Sequence, residues 1–123
     1  MTKYYVQQFK DKESIRIGYA RVSSADSRQE LGLAVQKEAL KDCDVVFIER
    51  ESGARDQRPK LHQALTLAQE LSQQGKSVSL VIYRLDRLTR KMFTLVDMLK
   101  SLTDQQIQLI SLKENIKTDS LTG

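Results

Sequence analysis

The chain has 123 residues, 40% of them hydrophobic, which suffices for one packed core and therefore one domain. The formal net charge of +4 is too weak to indicate a class of partner. One Cys and one His exclude an internal disulfide and a structural zinc site. The sequence has no apolar run of about 18 residues for a membrane span. Its polar N-terminus lacks a secretory signal, so we expect a cytoplasmic protein.

The first 14 residues are predicted to be an N-terminal extension of a domain that spans residues 15–123. This extension contains three large apolar side chains, Tyr4, Tyr5 and Phe9, which are candidates for packing against the domain. The sequence of this extension does not indicate a function for it.

Four strands and three helices are predicted to alternate along the domain. The strands are indicated by β-branched and apolar runs, and the helices by apolar residues at helical spacing. Pro59 fits the first turn of the second helix, and Gly75 ends it. The strands are predicted at 15–22, 44–49, 78–83 and 107–112, and the helices at 31–41, 59–74 and 92–102.

This alternation predicts an open α/β sheet with helices on both faces. In such sheets, ligands bind beyond the carboxyl ends of the strands. Ser23 follows the first predicted strand, and the segment Arg84–Arg90 follows the third. We therefore expect these two segments to meet at one edge of the sheet.

Several catalytic patterns are missing from the sequence. There is no Gly-rich phosphate loop and no His/Glu or Asp/Asp metal pattern. His62, the one histidine, lies on the polar side of its predicted helix, where a solvated side chain is the simplest interpretation. A Ser–His–Asp mechanism is therefore improbable, and we expect no metal and no cofactor.

An arginine and a serine are predicted to share the end of the first strand. Because side chains alternate along a strand, Tyr19, Arg21 and Ser23 lie on one face. Arg21 and Ser23 can therefore share one ligand.

A second set of cations follows the third strand. Four basic residues occur within eight positions, together with a single acid, Asp86. Such a cluster is suited to phosphate. The basic residues are Arg84, Arg87, Arg90 and Lys91.

These arginines, with Arg58 at the start of the second helix, suit phosphoryl transfer. Guanidinium groups offer fixed donors to the charged oxygens of a pentacoordinate transition state without a metal. They can also ease loss of the proton from a serine nucleophile. Each arginine alone could be a surface residue, and Ser23 alone could cap a helix. The combination is more specific than its parts.

The motifs that carry these residues resemble the signatures of the resolvase/invertase family of serine recombinases. The resemblance covers residues 15–123. Thr89 replaces a glycine that is frequent in the family, and the segment between Ser23 and Gln36 is longer than in small resolvases. The resembling segments are Tyr19–Ser23, Leu85–Arg90, Arg58–Pro59 with Leu61, Ser111–Leu112, Asn115–Ile116 and Thr118–Asp119.

The resemblance implies a three-layer α/β/α fold with a mostly parallel sheet of four to five strands. It also implies DNA strand exchange on mobile genetic elements through a 5′-phosphoserine, without ATP, metal or cofactor. Resolvase, invertase, integrase and transposase roles all stay open. The implied catalytic residues are Ser23, Arg21, Arg58, Asp86, Arg87 and Arg90, with Asp86 orienting an arginine; the implied contacts to DNA phosphate are Tyr19, Gln36 and Arg84.

The family also implies partners. Its members continue into a dimerisation helix and a DNA-binding domain, and we expect both to lie outside this chain. The full-length protein would act as a homodimer or homotetramer on DNA recombination sites. The isolated domain would be monomeric or weakly associating, and weakly active or inactive, because most DNA contacts are missing.

Two other functions stay open. One is a catalytically silent binding or regulatory module of the same fold, which would not need the arginine set. The other is a receiver or metal-dependent nuclease, which would need a cluster of carboxylates at the strand ends. Asp86 is the one acid suitably placed.

Overall fold

A computed structural model of the chain describes residues 2–23, 29–51, 58–89 and 91–118. Five helices and five strands are formed by these residues. They are α1 (Thr2–Gln8), β1 (Ser14–Ser23), α2 (Gln29–Ala39), β2 (Val45–Glu51), α3 (Pro59–Gln73), β3 (Ser77–Ile82), α4 (Leu85–Leu88), α5 (Met92–Asp104), β4 (Ile107–Ser111) and β5 (Ile116–Lys117).

The strands form one sheet in the order β2-β1-β3-β4-β5. The first four are parallel, and β5 is antiparallel to β4. β1 lies between two parallel neighbours, with Tyr19 opposite Phe47 on one side and Ile82 on the other. The predicted α/β fold with a mostly parallel sheet is confirmed.

The side chains of β1 alternate between two hydrophobic clusters, one on each face of the sheet. Ile15, Ile17 and Tyr19 belong to the larger cluster, which also contains apolar residues of α3 and α5. Ala20 and Val22 belong to the smaller cluster, which is covered by α2. The period of two along β1 therefore produces the three layers, and it places Arg21 on the α3 side of the sheet.

Glycine is favoured at two points of this framework. A Cβ on Gly18 would lie 3.2 Å from Cys43 Sγ, so the absence of a side chain lets the α2–β2 connection approach β1. Gly75 has a φ of +84° just after α3, a conformation that favours glycine at a helix end. The predicted end of this helix is correct.

The N-terminal segment packs against the sheet through its aromatic side chains. The Tyr5 ring meets Phe47 edge-on, with 5.8 Å between ring centroids, and Phe9 is 4% exposed. Tyr4 remains 67% exposed. Lys76 Nζ donates to the carbonyl oxygen of Lys12 at 2.6 Å and so ties the segment to the loop that precedes β3. The segment thus contributes to the core.

Three elements were not predicted from the sequence: α1, α4 and β5. α4 is a single turn of four residues and β5 has two, both too short to show a period. α1 has seven residues, and its Tyr5 and Val6 are partly buried against the core of the domain. Such short elements are stabilised by tertiary contacts, which local sequence patterns do not reveal.

Candidate active site

The carboxyl ends of β1 and β3 bring the predicted residues to one edge of the sheet. Ser23 is the last residue of β1, and its backbone is paired with Glu51 of β2. α4 follows β3 after two residues. The Ser23 side chain and the whole of Arg90 lie outside the described part of the chain.

Three arginines from separate segments come together at this edge. Arg21 lies near the end of β1, Arg58 lies at the N-terminus of α3, and Arg87 lies on α4. Arg87 Nη1 donates to the Arg21 carbonyl oxygen at 3.5 Å, and Arg58 Nη1 donates to the carbonyl oxygen of Leu88. These two bonds bring the end of β1, the start of α3 and α4 together at one edge of the sheet.

Asp86 lies between Arg84, at the N-cap position of α4, and Arg87, within α4. Its Oδ1 atom is 3.5 Å from Arg84 Nε and 4.0 Å from Arg87 Nε. The Arg84 guanidinium also lies over the Tyr83 ring, 5.9 Å from its centroid. These ion pairs are consistent with a carboxylate that orients arginines. The Asp86 side chain remains 43% exposed, and that of Arg84 38%.

Thr89, which stands where the family often has glycine, is accommodated without a left-handed backbone. Its φ is −164°, an extended conformation open to any residue. It is 7% exposed, and its Oγ1 accepts a hydrogen bond from the Lys91 amide at 3.1 Å. The threonine at this position therefore stabilises the turn between α4 and α5 through its side-chain hydrogen bond.

Gln36 is bonded to the backbone of β1. Pairing between β1 and β3 stops at Tyr19, opposite Ile82. Beyond that point, Gln36 Oε1 accepts from the Arg21 amide at 3.2 Å, and Gln36 Nε2 donates to the Arg21 carbonyl oxygen at 3.2 Å. The glutamine amide therefore continues the hydrogen bonding that a strand would supply. Because Gln36 is only 1% exposed, it lies beneath the surface where DNA phosphate was expected to meet it.

Glu49 is a member of this region that the sequence analysis missed. It is 4% exposed, and its Oε1 accepts from the amides of Lys60 and Leu61 at 3.1 and 3.2 Å and from the Tyr19 hydroxyl at 3.4 Å. Arg58, at the N-cap position, makes no side-chain cap bond. The carboxylate of β2 therefore caps α3 in its place. The available signal was an acid at the end of the apolar run Val45–Ile48.

Tyr19 is fully buried beside Glu49. Burial raises the pKa of Tyr19, and the neighbouring Glu49 carboxylate raises it further. The positive charges of Arg58 and Arg21 lower this pKa, but by less than the other two raise it. Tyr19 is therefore a neutral hydrogen-bond donor, and because it is fully buried it is not accessible to the DNA phosphate that it was expected to contact.

Two further properties of the described residues bear on the chemistry. No three His, Cys, Asp or Glu side chains among them come together to hold a metal ion. No helix within the described ranges has the length and apolar character that crossing a membrane requires. His62 is exposed on α3, as its position in the predicted helix indicated.

The comparison with known families identifies the family of this domain. The family model for the resolvase N-terminal domain matches residues 16–123. The chain belongs to the resolvase N-terminal domain family. The family predicted from the sequence motifs is therefore confirmed.

Relatives of this domain come from transposons and phages. The chain is 36% identical to the transposon Tn552 DNA-invertase BinR of Staphylococcus aureus, over 89% of this chain and 54% of that protein. It is 37% identical to the serine recombinase gin of Escherichia phage Mu, over 87% of this chain and 51% of that protein. The chain thus spans about half the length of the curated relatives it matches.

A solved structure with the same arrangement is the N-terminal catalytic domain of TP901-1 integrase. It superposes with a TM-score of 0.59 and 27% sequence identity, covering 88% of this chain and 84% of that one. A resolvase family site-specific recombinase from Streptococcus pneumoniae, at 18% identity and a TM-score of 0.59, shares the fold.

Proposed function

We propose that this chain is the catalytic domain of a site-specific DNA recombinase that cuts and rejoins DNA through Ser23. The observation that carries the proposal is the convergence of Arg21, Arg58 and Arg87 at the sheet edge where β1 ends in Ser23. A silent module of this fold would have no need for three cations from three segments at that edge.

The chemistry is a transesterification. The Ser23 oxygen loses its proton and attacks the scissile phosphorus. The bond between phosphorus and the 3′ oxygen of the deoxyribose breaks, and that oxygen takes up a proton to become a 3′-hydroxyl. The product is a 5′-phosphoserine. Rejoining is the same reaction reversed with a new 3′-hydroxyl, so one phosphodiester replaces another and no ATP is needed.

The arginines would stabilise the charge that develops on the phosphate oxygens. Arg21, Arg58, Arg87 and Arg90 form this group in our proposal. Asp86 orients Arg87 and Arg84, and the partly exposed Arg84 contacts DNA phosphate.

Tyr19 and Gln36 have a supporting role in this proposal. Both residues are buried. Gln36 is hydrogen-bonded to the backbone of Arg21, and the Tyr19 hydroxyl donates to Glu49, which caps α3 next to Arg58. They would fix the end of β1 and the start of α3 instead of contacting phosphate directly.

The proposed partner is DNA, bound by a homodimer or homotetramer of the whole protein. The names of the relatives describe DNA invertases and recombinases, which supports DNA as the substrate.

The test is a covalent protein–DNA adduct. The full gene product that carries this chain is incubated with sheared DNA of its source organism, denatured in detergent, and the attached DNA fragments are sequenced. We expect an adduct at a defined site, lowered more than about a thousandfold in Ser23→Ala. Ser24→Ala, a matched change at the next serine, should retain it.

An adduct of undiminished yield in Ser23→Ala would contradict the proposal. So would the absence of any adduct from the wild-type protein. Loss of the adduct in Ser24→Ala, with the adduct retained in Ser23→Ala, would identify Ser24 as the nucleophile and would also contradict the proposal.

A further inference from the structure

The turn between β4 and β5 lies against the segment that leads into α4. The Leu112 amide donates to the Ile82 carbonyl oxygen at 3.0 Å, and the Lys113 amide donates to that of Tyr83 at 2.8 Å. The turn is closed by Asn115, whose φ of 58° is left-handed, a conformation that asparagine tolerates. These bonds bring the next side chain, Glu114, to the start of α4.

The Glu114 carboxylate caps this helix. Both of its oxygens lie 3.3 Å from the amide nitrogen of Leu85, the first residue of α4. The hydroxyl of Ser111, a fully buried residue, donates to Glu114 Oε1 from the other side. Arg84, at the N-cap position of α4, makes no side-chain cap bond. The cap therefore comes from a residue 29 positions away in sequence.

The orientation of α4 depends on contacts of this kind. A helix of four residues has too few internal hydrogen bonds to hold its own direction. Its C-terminal end is held by the buried side chain of Leu88 and by the bond from Arg58 to the Leu88 carbonyl oxygen. Its N-terminal end is held by Glu114. Between these two points α4 carries Arg87, which reaches the Arg21 carbonyl oxygen.

We propose that Glu114 is a positioning residue for DNA cleavage, which acts by reaching the Leu85 amide and thereby fixing the direction in which α4 presents Arg87. This inference rests on the proposed recombinase function. In this proposal Glu114 acts through Arg87, and the length of the Glu114 side chain, not its charge, is the property that the site uses.

The electrostatics of Glu114 agree with a hydrogen-bond acceptor at neutral pH. Burial raises the pKa of Glu114, but the hydrogen bonds from Ser111 and the Leu85 amide outweigh it and hold the pKa below its ordinary value. Arg84 lowers it further. The carboxylate is therefore ionised and can accept from both donors.

Two substitutions separate reach from charge. Glu114→Gln keeps the length and an oxygen acceptor but removes the charge. Glu114→Asp keeps the charge but withdraws the carboxylate by about 1.5 Å, one carbon–carbon bond. Glu38→Asp is the matched control, since Glu38 is an exposed glutamate of α2 that pairs with Lys41.

The measurements use the full gene product and the DNA site found with the wild-type protein. They are the rate of adduct formation at saturating DNA, the Kd for DNA, and the exchange rate of the Leu85 amide hydrogen. We expect Glu114→Asp to slow adduct formation about tenfold, with an unchanged Kd and faster exchange at Leu85. Glu114→Gln should stay within about threefold of wild type, since it keeps the capping acceptor, and Glu38→Asp should match wild type.

Wild-type rates in Glu114→Asp would overturn the inference while leaving the proposed function intact. Slow cleavage in Glu114→Gln with normal cleavage in Glu114→Asp would overturn it also, because charge would then be the property in use. If Glu114→Asp raised the Kd for DNA and left the rate of adduct formation unchanged, Glu114 would contribute to DNA affinity. That result would contradict its role as a positioning residue. Absence of an adduct from the wild-type protein would reject the proposed function, and this inference with it.

Discussion

At the scale of single residues, the site is held by buried polar groups that each serve several partners. Glu49 receives hydrogen bonds from two amides of α3 and from the Tyr19 hydroxyl, although the residue is nearly inaccessible to water. Removing such an acceptor leaves its buried donors without partners, which costs more than the hydrogen bonds themselves contribute. Glu49 is therefore important to folding as well as to the position of Arg58.

We expect Glu49→Ala to lower the free energy of unfolding by about 2–3 kcal/mol, through the lost cap and the unsatisfied donors. Glu49→Gln keeps an oxygen acceptor and should cost less than half as much. Urea denaturation measures both. Glu38→Ala, which removes an exposed glutamate, is the control and should cost under about 0.5 kcal/mol. Equal losses in Glu49→Ala and Glu38→Ala would show that the cap is unimportant.

Residue-scale contacts also show where prediction from the sequence ends. Arg21, Ser23 and Arg87 could be grouped because they lie at or just beyond the carboxyl ends of strands that must meet at one edge of the sheet. Glu49 and Glu114 could not, because each acts on a helix N-terminus that is distant in sequence. A single acid after an apolar run has no local feature that separates a buried cap from an exposed strand end.

At the scale of elements, the long helices and the four parallel strands were predicted, since each has enough residues to show its period. α1 was not. Its Tyr5 and the adjoining Phe9 are nevertheless part of the larger hydrophobic cluster, against Phe47 of β2. The extension that precedes the matched family domain is thus packed as an integral element of the core.

This packing gives a direct test of the N-terminal segment formed by α1 and the adjoining Phe9. Phe9→Ala removes a side chain that is 4% exposed and should lower the free energy of unfolding by about 3 kcal/mol. Tyr4→Ala removes a ring that is 67% exposed, and should cost under about 0.5 kcal/mol. Thermal and urea denaturation of the two variants check the difference. Similar small losses in both would mean that α1 does not add to the core.

At the scale of the whole molecule, titratable groups limit the pH range of stability on both sides. On the acid side, burial raises the pKa of Asp44, but the bond from Lys12 Nζ at 2.6 Å and that from the Arg16 amide at 2.8 Å outweigh it. The pKa of Asp44 is therefore below its ordinary value of 3.8. Its contribution to stability is present above pH 3.8 and is lost as the pH falls through the folded-state value.

On the alkaline side the signs are reversed. Burial raises the pKa of the Cys43 thiol to about 11, from an ordinary value of 9.0, and also raises that of Tyr19. Each group contributes stability that is fully present below its ordinary pKa and is lost as the pH rises through the folded-state pKa. For Cys43 this window runs from 9.0 to about 11.

We therefore expect the free energy of unfolding to be nearly constant between about pH 5 and 8 and to fall on either side. In Asp44→Asn the free energy of unfolding should fall less steeply at acid pH, because one group whose pKa differs between the folded and unfolded states has been removed. In Tyr19→Phe the alkaline decline should be shallower. Urea denaturation across pH 3 to 11 measures both. Declines that are unchanged in both variants would contradict these assignments.

The interior position of β1 in the sheet has a consequence for the order in which the proposed site is assembled. The register between β1 and β3 joins Ser14 to Ser77, and the bond from Arg87 to Arg21 joins residues 66 positions apart. Contacts of such long sequence separation form slowly, after local structure. A nascent chain emerging from the ribosome thus displays Ser23 well before Arg87 has been synthesised. Arg58 and Arg87 are synthesised after Arg21 and Ser23, so an unfinished chain carries the proposed nucleophile without the complete set of proposed arginines.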